Sequence, residues 1–229
     1  MTDPHQQFQD ALDALDTAFV PPDEQPFSVG GCTHCYTEAD LAALAHPVQQ
    51  VPEELIYSVA HKTPDHWTDF PGLYRRLTPR IVRLLTADRL DHGLVASRLL
   101  AAGWRSWPAR QRTALEQVWY AWWRSALHTY PGDGHIADVL EVLSAAAGTP
   151  VTWLAIWSET RTEASDLHLS DALDRWLWQD ELADLHFGFF DELPATPELL
   201  RWLLALEDGR VGAAQLIEVE RIAHSRSIW

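Results

Sequence analysis

The residues in this chain best suited to chemistry are its two cysteines, Cys32 and Cys35, spaced C-x-x-C behind Gly30-Gly31 and just ahead of Thr37. A glycine turn can bring two sulfurs to one side, and a helix beginning after them lowers thiol pKa through its dipole. Three chemistries fit. Tetrahedral zinc takes four nitrogen or sulfur ligands, so two thiolates leave two places for histidine. His61 and His66 stand in H-x4-H spacing, within the range used by zinc modules, and His34 lies inside the cysteine pair. Against this, the gap from Cys35 to His61 is longer than in finger modules, and Thr63-Pro64 separates the two histidines. Thiol redox chemistry is the second option, since C-x-x-C with a central histidine matches oxidoreductase spacing. Those sites sit on a βαβ scaffold, for which the sequence offers no strands. The third option is two reduced thiols packing a loop onto helices. Spacing leaves all three open, with Cys32, Cys35, His61 and His66 as the candidate zinc ligands.

Elsewhere the chemistry-bearing types are scattered. Most remaining histidines sit beside acids, as in Asp91-His92, Asp166-Leu167-His168 and Asp184-Leu185-His186. With 33 acidic residues and 11 histidines such neighbours arise by chance, and they read as surface contacts. There is no HExxH, ExxH, GxSxG, P-loop, GxGxxG or EF-hand pattern. Twelve tryptophans are unusual for this length, and their indoles predict a large buried aromatic content. Gly103-Trp104-Arg105-Ser106-Trp107-Pro108 is the most compact of these clusters. It reads first as a buried helix-helix corner and second as a stacking or cation–π platform formed by the two Trp and the Arg.

The elements that must position these residues are helices. Phe8, Leu12, Leu15 and Phe19 fall on one helical face, as do Leu77, Ile81, Leu84 and Leu85, and again Ile136, Val139, Leu140 and Leu143. Four Thr-Pro pairs, at 63, 78, 149 and 196, read mostly as helix starts, and Gly103 and Gly148 as left-handed stops. Thr37 through Asp40 reads as a capping box. The pattern predicts helices near 3–19, 37–46, 52–62, 71–87, 91–102, 108–129, 135–147, 150–159, 169–186 and 196–224, the last broken around Gly209. The fold class is therefore all-α, about ten helices in a single domain over 1–229. They would form a HEAT-like α-solenoid, with an irregular antiparallel bundle as the close alternative. Residues 20–36, with three Pro and two Gly, read as a loop that carries both cysteines.

Charge is unevenly spread. Residues 1–62 hold ten acids and one Lys, residues 63–128 five acids and ten Arg, and residues 129–229 eighteen acids and six Arg, within a net charge of −16. This excludes a general nucleic-acid binder and an anionic-membrane binder. The basic middle either packs between acidic flanks or forms an arginine face, with Arg75, Arg76, Arg80, Arg83 and Arg98 as the candidate surface for an acidic protein partner. No secretory leader and no run of eighteen apolar residues is seen, which makes the cytoplasm the expected compartment.

Three of these motifs carry a resemblance. Cys32-Thr33-His34-Cys35, then Asp69 through Arg80, then Ala102 through Pro108, resemble a family of uncharacterised bacterial helical proteins, mainly actinobacterial, over about residues 30–130. The resemblance implies a helical-repeat architecture and no mechanism. Together these readings point to a protein-interaction or scaffold module whose loop at 20–36 is clipped to the helices by a structural zinc site or by thiol packing. The alternative is a metal-dependent enzyme or thiol-based regulator using the C-x-x-C and nearby histidines.

Overall fold

The computed structural model describes residues 3–20, 27–132, 135–207 and 209–226. The fold is all-α, an irregular bundle in which eleven α-helices are described: α1 Pro4–Phe19, α2 Glu38–Ala45, α3 Glu53–His61, α4 Phe70–Thr86, α5 His92–Ala101, α6 Ala109–His128, α7 Ile136–Ala147, α8 Val151–Glu159, α9 Glu163–Leu177, α10 Thr196–Ala205 and α11 Ala213–Arg226. Among the described residues the strands are one bridge at Gly31 and Trp67 and a two-residue pair, β1 His186–Phe187 with β2 Leu193–Pro194. No helix is long and apolar enough to cross a membrane among the described residues. The chain divides into two compact units, Met1–Trp122 and Trp123–Trp229.

In the first unit α4 is central, packing against α1, α3 and α5. Leu73, Tyr74, Leu77, Ile81 and Leu85 line one buried face, and Pro79 and Val82 carry the burial round to further sides. Thr78-Pro79 lies in the interior of α4, within the helix predicted over 71–87, and is not a helix start. The Thr78 hydroxyl donates to the Tyr74 carbonyl at 2.9 Å, and both Thr78 and Pro79 are buried. The helix start is Asp69, whose side chain accepts from the Gly72 N–H. The capping box at Thr37 and Asp40 forms as expected. Gly103 stops α5 at φ 65°, and Trp104 and Trp107 are buried at the corner beyond it. The Trp107 indole donates to the Ala102 carbonyl at 3.0 Å, so this cluster is a structural corner.

The core of the second unit is aromatic. Trp123 and Trp157 meet edge-to-face at 5.4 Å, and Trp157 also contacts Trp176 and Trp202. Arg210 is almost completely buried and donates to Asp166, to the carbonyls of Trp157, Ser158 and Thr160, and to the Ser165 hydroxyl. It satisfies the carbonyls left open where α8 ends.

The predicted helix 169–186 is displaced in the structure. α9 begins at Glu163, capped by Thr162, and ends at Leu177. A 3-10 stretch follows over Trp178–Asp184, broken by left-handed Gln179 and Asp180. Trp176 and Leu182 are both buried. Six residues of regular helix would place them about 120° apart around the axis, so the break lets both face the core.

Candidate metal centre

The site is built where the loop after residue 27 meets the link between α3 and α4. Pro64 opens a single 3-10 turn over Pro64–His66, and Trp67 leaves it in extended conformation. The segment at 66–68 then pairs with Gly30-Gly31-Cys32. The Thr68 N–H donates to the Gly30 carbonyl at 2.9 Å and the Cys32 N–H donates to the His66 carbonyl at 2.8 Å, around the Gly31–Trp67 bridge. Gly31 leaves room for this approach. A Cβ there would stand 3.1 Å from Leu41 Cδ2, 3.1 Å from Trp67 Cε3 and 3.2 Å from the His66 carbonyl oxygen.

A turn over 32–35 brings the second cysteine round. The Cys35 N–H donates to the Cys32 carbonyl at 3.0 Å, as does the N–H of Tyr36. Tyr36 then locks the arrangement. Its ring lies 4.5 Å from that of Trp67, and its hydroxyl shares a 2.6 Å hydrogen bond with Ser58 of α3. Both rings are buried beneath a surface that leaves Cys32 and His66 half-buried and Cys35 exposed.

The Cys32 and Cys35 sulfurs and a ring nitrogen of His66 lie within 4.8 Å of one another. Tetrahedral ligands about a zinc ion stand about 3.5–3.8 Å apart, from bond lengths of about 2.0–2.3 Å. A contraction of at most about 1.0–1.3 Å therefore closes these three atoms on one ion. Two thiolates and an imidazole form a donor set for zinc-class ions rather than for magnesium or calcium. The cluster is capable of coordinating a metal ion, and no further His, Cys, Asp or Glu joins it among the described residues.

Local electrostatics separate the two thiols. Hydrogen bonds from the backbone N–H groups of His34 and Cys35, with one from the Cys35 thiol, lower the Cys32 pKa against the opposing effects of burial and Asp65. Cys35 is raised, first by its hydrogen bond to Cys32 and then by burial, with Lys62 acting the other way. A bound metal ion would override these effects, since its own charge would be the largest in the site and would hold both thiols deprotonated.

The predicted ligands divide. Cys32, Cys35 and His66 come together, whereas His61 stands outside the group and His34 lies exposed in the turn without joining it. His61 is the last residue of α3, and the extended Lys62 that follows ends any shared helical face with His66. Its Nε2 is buried with no hydrogen-bond partner among the described residues. Burial lowers its pKa, with Asp91 and Arg98 as charged neighbours. The Thr63-Pro64 break was the sequence signal that the two histidines could not act from one face. The Tyr36–Trp67 stack gave no such signal. Residues 21–26 of the predicted loop lie outside the described residues.

The candidate partner arginines are mostly engaged within the chain. Arg76 donates to the carbonyls of Leu44 at 2.5 Å, Ala45 at 3.2 Å and His46, and its guanidinium lies 4.7 Å from the Phe27 ring centre. Arg80 donates to the carbonyls of Val48 and Val51, and Arg83 pairs with Asp13 and Asp16 of α1. Arg98 is buried and donates to the His61 carbonyl at 3.3 Å. Arg75 is the exposed member of the set. Of the basic middle segment, Arg83 and Arg89 pair with the acids Asp13, Asp16 and Glu53 of residues 1–62, while Arg76 and Arg80 hold backbone carbonyls.

No protein-family model, curated protein or solved structure matches this chain. The chemistry of the site is therefore read from its geometry and donor set.

Proposed function

We propose that this protein is a zinc-dependent regulatory protein, in which an ion held by Cys32, Cys35 and His66 ties the loop after residue 27 to the α3–α4 link. The observation that carries this reading is the convergence of three soft or borderline donors from two separate segments, aligned by backbone hydrogen bonds that need no metal. The described residues supply three ligands of a tetrahedral ion; a fourth position taken by water or an external group would make the site responsive or catalytic rather than closed. Ligation requires reduced thiols, which fits a protein working in the cytoplasm. The five arginines give little support to a scaffold role, because four of them already have partners inside the chain.

Elemental analysis of untagged protein, purified without chelator, tests the reading. The expected result is one zinc per chain, lost in Cys32→Ser, Cys35→Ser and His66→Ala and retained in His61→Ala. Metal-free protein with full helical circular dichroism would overturn it.

A second reading, a protein-interaction module, is favoured by aromatic exposure in the second unit. Trp178 is 72% exposed, and Phe189 and Phe190 are 54% and 58% exposed beside Asp191 and Glu192. An apolar segment bearing basic residues would complement this surface. Photo-crosslinking from position 189 in cells should capture such a partner, and the absence of any adduct would remove this reading.

A further inference from the structure

The same site holds a pair of sulfurs positioned to bond to each other. The hydrogen bond from the Cys35 N–H to the Cys32 carbonyl closes a four-residue turn, which holds the two Cα atoms within about 7 Å. Disulfides span Cα separations of about 4.4–6.8 Å, so closure needs side-chain rotation and little backbone movement. The sulfurs lie within 4.8 Å of each other, and neither is bonded elsewhere. Cys35 is exposed, which gives a small oxidant access to its sulfur.

We infer that Cys32 and Cys35 form a peroxide-driven disulfide that expels the metal ion, making the site a redox-controlled metal switch. This rests on the metal-binding reading above, and adds its regulation. In the first step the exposed Cys35 sulfur, which metal ligation would hold as the thiolate, attacks one oxygen of hydrogen peroxide. The O–O bond breaks, hydroxide leaves and takes a proton to become water, and Cys35 becomes a sulfenic acid. In the second, the Cys32 thiolate attacks the Cys35 sulfur, the S–S bond forms, and the second hydroxide leaves as water. The two sulfurs lose two electrons in total and the peroxide gains them. Zinc changes no oxidation state. It departs as an aqua ion because a disulfide is a poor ligand and His66 alone holds it weakly.

The surroundings determine what the switch does to the fold. The pairing of 30–32 with 66–68, the Tyr36–Trp67 stack and the Arg76 contacts use neither cysteine side chain. Oxidation therefore frees the metal and His66 while the loop stays docked, and the signal is metal release rather than unfolding.

The test starts from zinc-loaded protein treated with hydrogen peroxide, following released zinc with a chromophoric chelator and thiol state by alkylation and intact mass. The expected result is one zinc released per chain in step with loss of two hydrogens from the chain, unchanged helical circular dichroism, and rebinding after dithiothreitol. In Cys32→Ser, dimedone should label Cys35, because the resolving sulfur is gone. Zinc retained with both thiols still alkylatable would overturn the switch and leave the metal-binding reading intact. Conversion of wild-type protein to sulfinic acid without a disulfide would also overturn the switch alone. A protein that never binds zinc, whatever its thiols do, would overturn both.

Discussion

Arg76→Ala should loosen the wall against which the cysteine loop rests, and the cost can be worked from its contacts. α2 ends at Ala45, leaving its last carbonyls without helical partners. The Arg76 guanidinium accepts that duty for Leu44, Ala45 and His46, and it also covers the Phe27 ring. Hydrogen bonds to a charged group contribute about 1.5–3 kcal/mol each when buried, and a cation–π contact about 0.5–2 kcal/mol. Arg76 is only partly buried, and water can replace it at the more exposed carbonyls, so the sum must be cut to about 2–4 kcal/mol. Arg75 is the control. It is exposed on the same helix, and Arg75→Ala should change stability by no more than about 0.5 kcal/mol. Equilibrium urea unfolding compares the two, and amide exchange shows whether the loss is local to α2. Arg76→Lys keeps the charge but not the planar fork, and should recover less than half of the loss. Equal, negligible effects of Arg75→Ala and Arg76→Ala would refute the reasoning and return both arginines to the list of partner residues.

Three further outcomes follow from the same structure. Arg210→Ala should destabilise the second unit by about 3–5 kcal/mol in urea unfolding, because it strands buried carbonyls at the end of α8; a change below about 1 kcal/mol would contradict the bonds described. Gly31→Val should weaken zinc binding at least about tenfold in a chelator competition, since the added side chain meets Leu41, Trp67 and the His66 carbonyl, and wild-type affinity in that variant would show the pairing is dispensable. Burial lowers the pKa of both His61 and His135 below the ordinary value of 6.5. Their folded-state pKa values lie below the unfolded ones, so the unfolded chain takes up more protons between the two and stability falls as pH drops below about 6.5. Urea midpoints measured from about pH 8 to pH 5 should decline in wild type and decline less in His61→Gln combined with His135→Asn, which preserves the cap acceptor at the start of α7. Identical slopes would count against both histidines.

Much of the fold was legible because helix starts, stops and apolar faces agree locally. Thr37 with Asp40, Gly103 and Gly148 do in the structure what their types imply. The start of α9 was hidden because its first inward positions are polar. Ser165 and His168 are buried, and they bond to the carbonyls of Thr160 and Thr129, so the apolar pattern begins only at Leu169. The break after Trp178 was hidden for the opposite reason, since no Gly or Pro marks it and Gln179 and Asp180 adopt positive φ under tertiary demand. Thr78-Pro79, the one Thr-Pro pair that falls inside a predicted helix, is absorbed in the interior of α4. At the site, the cysteines were visible from type and spacing, but the choice between His61 and His66 depended on a cross-segment pairing that no local pattern encodes. The arginines were visible as a cluster, yet their acceptors lie about thirty to seventy residues away in sequence.

X-ray absorption at the zinc edge of the loaded protein tests the central claim most directly. The account predicts two sulfur scatterers at about 2.3 Å, one imidazole nitrogen at about 2.0 Å and one further light atom, with the same spectrum from His61→Ala. A shell of nitrogen and oxygen alone, or two imidazoles of which one vanishes in His61→Ala, would contradict it.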